Sequence, residues 1–291
     1  MPTLVVTGAG GLLGGRLLQA AAGRYRSFPV YHHSPASMWQ TDEFVGDLSD
    51  ESEIERLASH VTPDIIINCA ALADVDRCER EPQASAAINY QAVELLLGAF
   101  PTARFVQLST DYVFPGGTPP PGPHDRPQPL NMYGRHKLAA EKAVAKSSPH
   151  HLIIRAVTII DHTSKRNFFR FVFEALRRGE TIQALTDQIS NPITARDAAD
   201  LIMRLVEKKV SGLVHIGGRE FVSRYELAVS IADYFGLDKR CIQPRTSDSV
   251  SRPAPRPLAA GLDCRQTEAL LGSAMPTLAQ GFGAMQKELS D

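Results

Sequence analysis

Short apolar, β-branched runs recur through the first 160 residues, at 4–7, 28–31, 43–45, 64–68, 104–109 and 152–156. Segments of helical length and mixed polarity separate them, at 12–22, 51–60, 82–97 and 133–147. Continuous apolar strands alternating with helices predict a parallel sheet covered on both faces, a doubly wound α/β fold. Asp50 with Glu53 three residues on has capping-box spacing and predicts the start of the second helix. The run 115–123, made of Pro, Gly and one Thr, can continue neither strand nor helix and predicts an irregular loop.

After Ile160 the pattern changes. An aromatic helix (Phe168, Phe169, Phe171, Phe173) precedes a strand at 181–184, a helix at 196–207, a strand at 213–216, a helix at 223–234 and a proline-rich stretch at 252–257. This order predicts a first domain over 1–160, with 189–217 returning to it, and a smaller C-terminal lobe from 161–188 and 218–291. The phenylalanines are expected to pack into the core of that lobe.

Composition narrows the function. The chain has 291 residues, 31 Lys and Arg against 32 Asp and Glu, and a formal net charge of -1. A dedicated nucleic-acid binder would show a basic surplus. No run approaches the roughly 18 apolar residues of a membrane span, and the N-terminus enters an apolar strand with no basic region before it, which argues against a cleaved signal. Cys69, Cys78, Cys241 and Cys264 stand far apart, and the histidines lack an H-x-x-x-H spacing. No metal site is expected, and the reading is a reduced, cytoplasmic protein without nucleic-acid or membrane partners.

The first strand runs straight into Gly8-Ala9-Gly10-Gly11-Leu12-Leu13-Gly14 and then a helix. Glycines there let the backbone turn tightly and approach a pyrophosphate held at the positive helix N-terminus, which makes the fold Rossmann-type and the first domain dinucleotide-binding. NAD-selective sites place an acid about 20 residues beyond this loop to bind the ribose hydroxyls. Here Tyr31-His32-His33-Ser34 ends the second strand, with no carboxylate to repel a 2′-phosphate, so His33 and Ser34 favour NADPH over NADH. Asp47, with Leu48, is placed to meet the adenine.

The sharpest constellation is Ser109-Thr110-Asp111-Tyr112-Val113-Phe114 at a strand end, followed by Tyr133-Gly134-Arg135-His136-Lys137 at a helix start. Tyr and Lys four residues apart share a helical face. The ammonium is then expected to lower the phenol pKa and bind the nicotinamide ribose, while a strand-end hydroxyl holds the carbonyl that the Tyr protonates.

With 63–71, 74–79, 109–114, 129–138 and 252–257, these motifs make the chain resemble the extended short-chain dehydrogenase/reductases, specifically the dTDP-4-dehydrorhamnose reductase branch. That resemblance implies a substrate-binding C-terminal lobe and NAD(P)H-dependent reduction of a nucleotide-linked 4-keto-6-deoxy sugar. It implies Thr110, Tyr133 and Lys137 as the catalytic set. Gly8, Gly11, Leu12, Leu13, Gly14, Asp47, Leu48, Ala71, Leu72 and Ala73 would contact the cofactor, and Thr110, Asp111, Thr158 and Arg252 would face the substrate. Two positions depart from the pattern. Thr158 stands where members commonly carry a sugar-stacking aromatic. Arg16 stands where some members use a Glu to hold a magnesium ion at a dimer contact, so a homodimer is expected to lack a metal link. The regulatory subunit of methionine adenosyltransferase resembles the same reductases, and a non-catalytic, nucleotide-binding role is the alternative.

Overall fold

In the computed structural model, which describes residues 1–33, 42–147, 150–164 and 167–290, six strands align in parallel: β1 (Thr3–Thr7), β2 (Arg26–Tyr31), β3 (Phe44–Val45), β4 (Ile65–Asn68), β5 (Arg104–Thr110) and β6 (Leu152–Ala156). Val5 pairs with both Phe28 and Ile66, and Val106 with both Ile67 and Leu152. Beyond β6 come the short β7 (Ile159–Ile160), β8 (Ile182–Leu185), β9 (Ile189–Ser190) and β10 (Ile193–Thr194). The chain then returns as β11 (Gly212–Ile216), which joins the sheet in parallel beside β6. The sheet order is β11-β6-β5-β4-β1-β2-β3. Strand order reverses between β1 and β4, and a doubly wound sheet opens its binding crevice at the carboxyl ends of the strands at such a point.

The helices are α1 (Leu12–Ala21), α2 (Glu51–His60), α3 (Val75–Arg80), α4 (Pro82–Ala86), α5 (Ala92–Ala99), α6 (Met132–Ser147), α7 (Phe168–Arg177), α8 (Ala195–Glu207), α9 (Arg224–Phe235), α10 (Arg265–Leu271) and α11 (Leu278–Ser290). Alternate strand residues feed opposite layers. Leu4 and Val6 join Leu17 and Ile202 on the α1/α8 face, while Val5 and Ile66 join Leu57, Leu96 and Val144 on the α2/α5/α6 face. All but Leu96 are fully buried, and each side chain of this kind stabilises the fold by roughly 1.5–3 kcal/mol.

A third core belongs to the C-terminal elements. Phe169 and Phe173 stack at 5.5 Å, and Phe235 and Phe282 close round Phe169 at 5.3 and 6.2 Å. Phe171 departs from the expected packing and is 53% exposed, because it lies a half-turn away from Phe169 and Phe173 on α7. β8 pairs with β13 (Ile242–Arg245), and β9 with β12 (Val222–Ser223).

Several elements differ from the sequence pattern. Asp50 caps α2 through Ser52 N–H, while Glu53 turns away to pair with Arg56, so the reciprocal half of the box is not formed. A full capping box forms instead at α9, between Ser223 and Glu226. The predicted 82–97 helix is interrupted by a π segment at Ala87–Gln91. α3, α10 and α11 lie where the apolar spacing predicts no helix.

Candidate active site

β1 delivers the chain into the glycine turn with Gly8 at φ +65°, where a Cβ would lie 2.8 Å from Ala70 N. A Cβ on Gly14 would lie 2.3 Å from Gly8 O, so strand, turn and helix close up only with glycine at both places. α1 then begins with no capping side chain and no acid in its first turn, unlike α2, α3, α8 and α9, which Asp50, Asp74, Thr194 and Ser223 cap. Its first N–H groups and the positive end of its dipole are left for an external anion.

A cleft of about 710 Å³ opens in front of this turn. Gly8, Gly11, His33, Asp47, Leu48, Ala71 and Leu72, all expected at the cofactor, line it, together with His32 and Ser49. Leu12, Leu13, Gly14, Ala73, Tyr133 and Lys137 are not among its lining residues; Leu13 is packed in the core, and Gly14 builds the turn. Ser34 lies outside the described residues. Burial works against the Asp47 charge, yet Ser49, which donates to Oδ1 through N–H and hydroxyl at 2.9 and 2.7 Å, and the neighbouring His32 and His33 keep its carboxyl below the usual range.

The candidate reacting end is assembled from β5 and α6. Thr110 closes β5, paired with Ala156. Asn131 sets the start of α6, accepting from Gly134 N–H at 2.9 Å and donating to Pro255 O at 2.9 Å, while Glu79 of α3 accepts from Met132 N–H at 2.9 Å. A Cβ on Gly134 would lie 2.2 Å from Tyr112 O, so only glycine lets α6 approach the β5 turn this closely. The structure therefore brings Thr110, Asp111, Tyr133 and Lys137 together, three of them nearly buried: Thr110 is 6%, Asp111 5% and Lys137 3% exposed.

Their electrostatics are dominated by burial. It raises the Tyr133 phenol well above its ordinary value, and Asp111 adds to the rise. The Thr110 hydroxyl acts in the opposite direction and lowers it. Burial pulls Lys137 down to about 8 against the opposing Cys69 and Glu141, and pushes Asp111 up to about 7 against Thr110 and Arg224. The Lys137 ammonium makes no hydrogen bond or ion pair among the described residues. A buried cation without a partner beside a dinucleotide-sized cleft suits a ribose hydroxyl, and with the uncapped α1 the residues present fit a nicotinamide dinucleotide.

Several supporting residues carry no signal in the sequence that singles them out. Glu141, one turn beyond Lys137, accepts from Ser109 and from Arg155 at 2.9 and 2.7 Å, tying α6 to β5 and β6. Asn89, fully buried in the π segment, accepts from Leu72 N–H at 3.0 Å and donates to Leu72 O at 3.1 Å, which fixes the cleft wall. A π segment is a common functional marker, yet its sequence carries no local signature. Arg224 donates to Thr158 Oγ1 at 3.1 Å, lies over the Phe168 ring at 4.9 Å and bears on Asp111 and Tyr112. Arg252 is exposed on the proline-rich segment, which Arg256 anchors to Asp76 of α3 through bonds of 2.7 and 2.8 Å. Arg16 is 6% exposed and clasped by Asp161 at 2.9 Å and Glu288 at 2.6 Å.

A doubly wound sheet with a glycine turn before an uncapped helix, and a Thr, Tyr and Lys converging at its carboxyl edge, defines an extended short-chain dehydrogenase/reductase, an NAD(P)H-dependent oxidoreductase. Within that class, the model of the RmlD substrate binding domain matches residues 2–290, and the chain belongs to this family. A probable low-salt glycan biosynthesis reductase of Haloferax volcanii is 31% identical, over 98% of this chain and 98% of its own. The dTDP-4-dehydrorhamnose reductase of Mycobacterium tuberculosis is 31% identical over 90% and 85%. The mouse methionine adenosyltransferase 2 subunit beta is 30% identical over 92% and 82%. The crystal structure of the dTDP-4-dehydrorhamnose reductase of Bacillus anthracis, in complex with NADP, superposes with a TM-score of 0.85 at 25% identity, covering 99% of each chain.

Proposed function

We propose that this reductase converts the ketone of a nucleotide-linked 4-keto-6-deoxy sugar, of the dTDP-4-dehydrorhamnose kind, to the alcohol. The observation that carries the reading is the meeting of Thr110, Tyr133 and an unpartnered Lys137, the last of them facing Cys69 of the cleft lining. A reduced nicotinamide, when bound, supplies the hydride. Tyr133 gives its proton to the carbonyl oxygen as charge develops there, and the high phenol pKa keeps that proton available across the neutral range. Lys137 holds the ribose and offers its charge to the phenolate that remains. Thr110 orients the carbonyl from the strand side. Residues 1–160 with 189–217 hold the cofactor, while 161–188 and 218–291 cover the sugar nucleotide, with Asp111, Thr158 and Arg252 facing it. Thr158 offers no aromatic face to the sugar, and its hydroxyl instead engages Arg224. Any homodimer forms without a metal link, and the site of action is the cytoplasm, in line with the absence of a membrane-crossing helix among the described residues.

The test is cofactor oxidation against a panel of dTDP- and UDP-linked 4-keto sugars. Tyr133→Phe is expected to lower kcat by roughly 10² to 10⁴ with cofactor binding intact, since general acid catalysis contributes about that factor. Tight cofactor binding with no turnover on any member of the panel would abandon the reading in favour of a regulatory, non-catalytic role.

A further inference from the structure

Two carboxylates of α3 hold different parts of the molecule. Asp76 and Glu79 are three residues apart and so are neighbours on the helix surface. Asp76 accepts from both terminal nitrogens of Arg256, at 2.7 and 2.8 Å, and from Ala254 N–H at 3.2 Å. Glu79 accepts from Met132 N–H at 2.9 Å, in the first turn of α6. Asn131 closes the circuit, donating to Pro255 O and accepting from Gly134 N–H, both at 2.9 Å. The short helix α3, the proline-rich segment and the turn that carries Tyr133 thus form one hydrogen-bonded ring.

The ring matters most to residues 252–257. Pro253, Pro255 and Pro257 have no N–H to give, and the segment belongs to no helix or strand. Among the described residues its backbone is bonded to side chains alone: Ala254 N–H to Asp76, Ala254 O to Arg256 and Pro255 O to Asn131. Removing a side chain therefore releases the segment, where a strand would have kept its ladder. The Asp76–Arg256 pair is bidentate and largely withdrawn from solvent, at 27% and 15% side-chain exposure, so it outweighs an ordinary surface pair. The segment also lies close to the phenol: Arg252 and Arg256 bear on Tyr112, whose ring meets that of Tyr133 edge-on at 6.2 Å.

We propose, resting on the keto-sugar reading above, that Asp76 and Glu79 are positioning residues with separate duties. Asp76 fixes the segment that carries Arg252, and with it the binding of the sugar nucleotide. Glu79 fixes the first turn of α6, and with it the aim of the Tyr133 phenol. Neither carboxylate is asked to touch the substrate or to exchange a proton.

The experiment is steady-state kinetics with the sugar nucleotide, joined by dTDP titration and amide hydrogen exchange, which need no turnover. Asp76→Ala should raise KM by about 10- to 100-fold and weaken dTDP binding in step, with kcat kept within about threefold. Glu79→Ala should lower kcat by about tenfold or more, with KM and dTDP affinity kept within about threefold. Both variants should bind the reduced cofactor as the native chain does. Glu79→Gln still offers an oxygen to Met132 N–H and should restore kcat, whereas Asp76→Asn loses the charge paired with Arg256 and should restore KM only in part. In hydrogen exchange, Ala254 should lose protection in Asp76→Ala alone, and Met132 in Glu79→Ala alone. Equal losses in kcat and KM for both alanine variants, or unchanged KM and dTDP affinity in Asp76→Ala, overturn the proposal while native turnover upholds the keto-sugar reading. A native chain that binds dTDP and turns over no keto sugar removes that reading instead, and the proposal then stands or falls on whether Asp76→Ala alone weakens dTDP binding.

Discussion

Lys137 and Glu141 lie one turn apart on the same face of α6, both nearly buried, yet they are treated in opposite ways. Glu141 has every advantage a buried charge can have: a bidentate guanidinium from Arg155 and a hydroxyl from Ser109. Lys137 has no hydrogen-bonding partner among the described residues, and its proton is loosened accordingly. A buried charge that only holds structure is paired, because leaving it alone costs several kcal/mol. One left unpaired, next to Cys69 of the cleft lining, is open to a ligand that supplies the missing partner. The same contrast separates Arg16, clasped by two carboxylates, from Arg224, which has a neutral hydroxyl and an aromatic face.

Removing the unpaired member should separate activity from stability. Lys137→Met is expected to cost about 10²-fold or more in kcat/KM, with weaker cofactor binding, while stability is kept or improved. Its folded pKa of about 8 lies below the ordinary 10.5, so the unfolded chain holds more protons between these values. The native protein therefore gains stability from this group as pH rises through that window. Denaturant titrations at several pH values should show the gain in the native chain and not in the variant.

Removing the paired member should do the reverse. Glu141→Gln strands the Arg155 guanidinium, and breaking one side of a buried pair costs about 3–5 kcal/mol. Urea unfolding would register it, and a loss below about 1 kcal/mol would contradict the role given to the pair.

A smaller effect tests the burial of Asp111. Its folded pKa of about 7 lies above the ordinary 3.8, so the native state holds the proton longer and the protein loses stability as pH rises from the lower value to the higher. Asp111→Asn should match the native chain near the acid end and exceed it in melting temperature once the carboxyl is ionised. Equal melting curves at both ends would show that the carboxyl is solvated.

The least effect concerns cofactor choice. His32 and His33 line the cleft where an acid would select NADH. NADPH should bind at least as tightly as NADH, and His33→Asp should weaken NADPH several-fold more than NADH in fluorescence titrations. A native preference for NADH would refute this.

Much of this molecule is legible in its amino-acid sequence. The glycine turn, the strand-end hydroxyls and the Tyr-Lys spacing are local patterns, and local patterns survive in one dimension. The sheet strands are legible too, because their apolar runs report burial on both faces. The aromatic helix is legible only in part, since Phe171 follows neither Phe169 nor Phe173 into the core. The π segment at Asn89 and the helix at 75–80 are not, because their stability comes from partners: Asn89 from Leu72, and Asp76 from an arginine 180 residues away.

What the sequence by itself determined is the parallel doubly wound class, the dinucleotide turn and the Thr, Tyr and Lys pattern proposed to react, because each depends on residue type and short spacing. What only the tertiary structure decided is the state of those residues. How strongly the phenol and the Asp111 carboxyl are desolvated, and which buried charge is paired, depend on side chains from β5, β6, α6 and α9 meeting at one point. Burial and long-range pairing are properties of position in space, and no spacing along the chain encodes them directly.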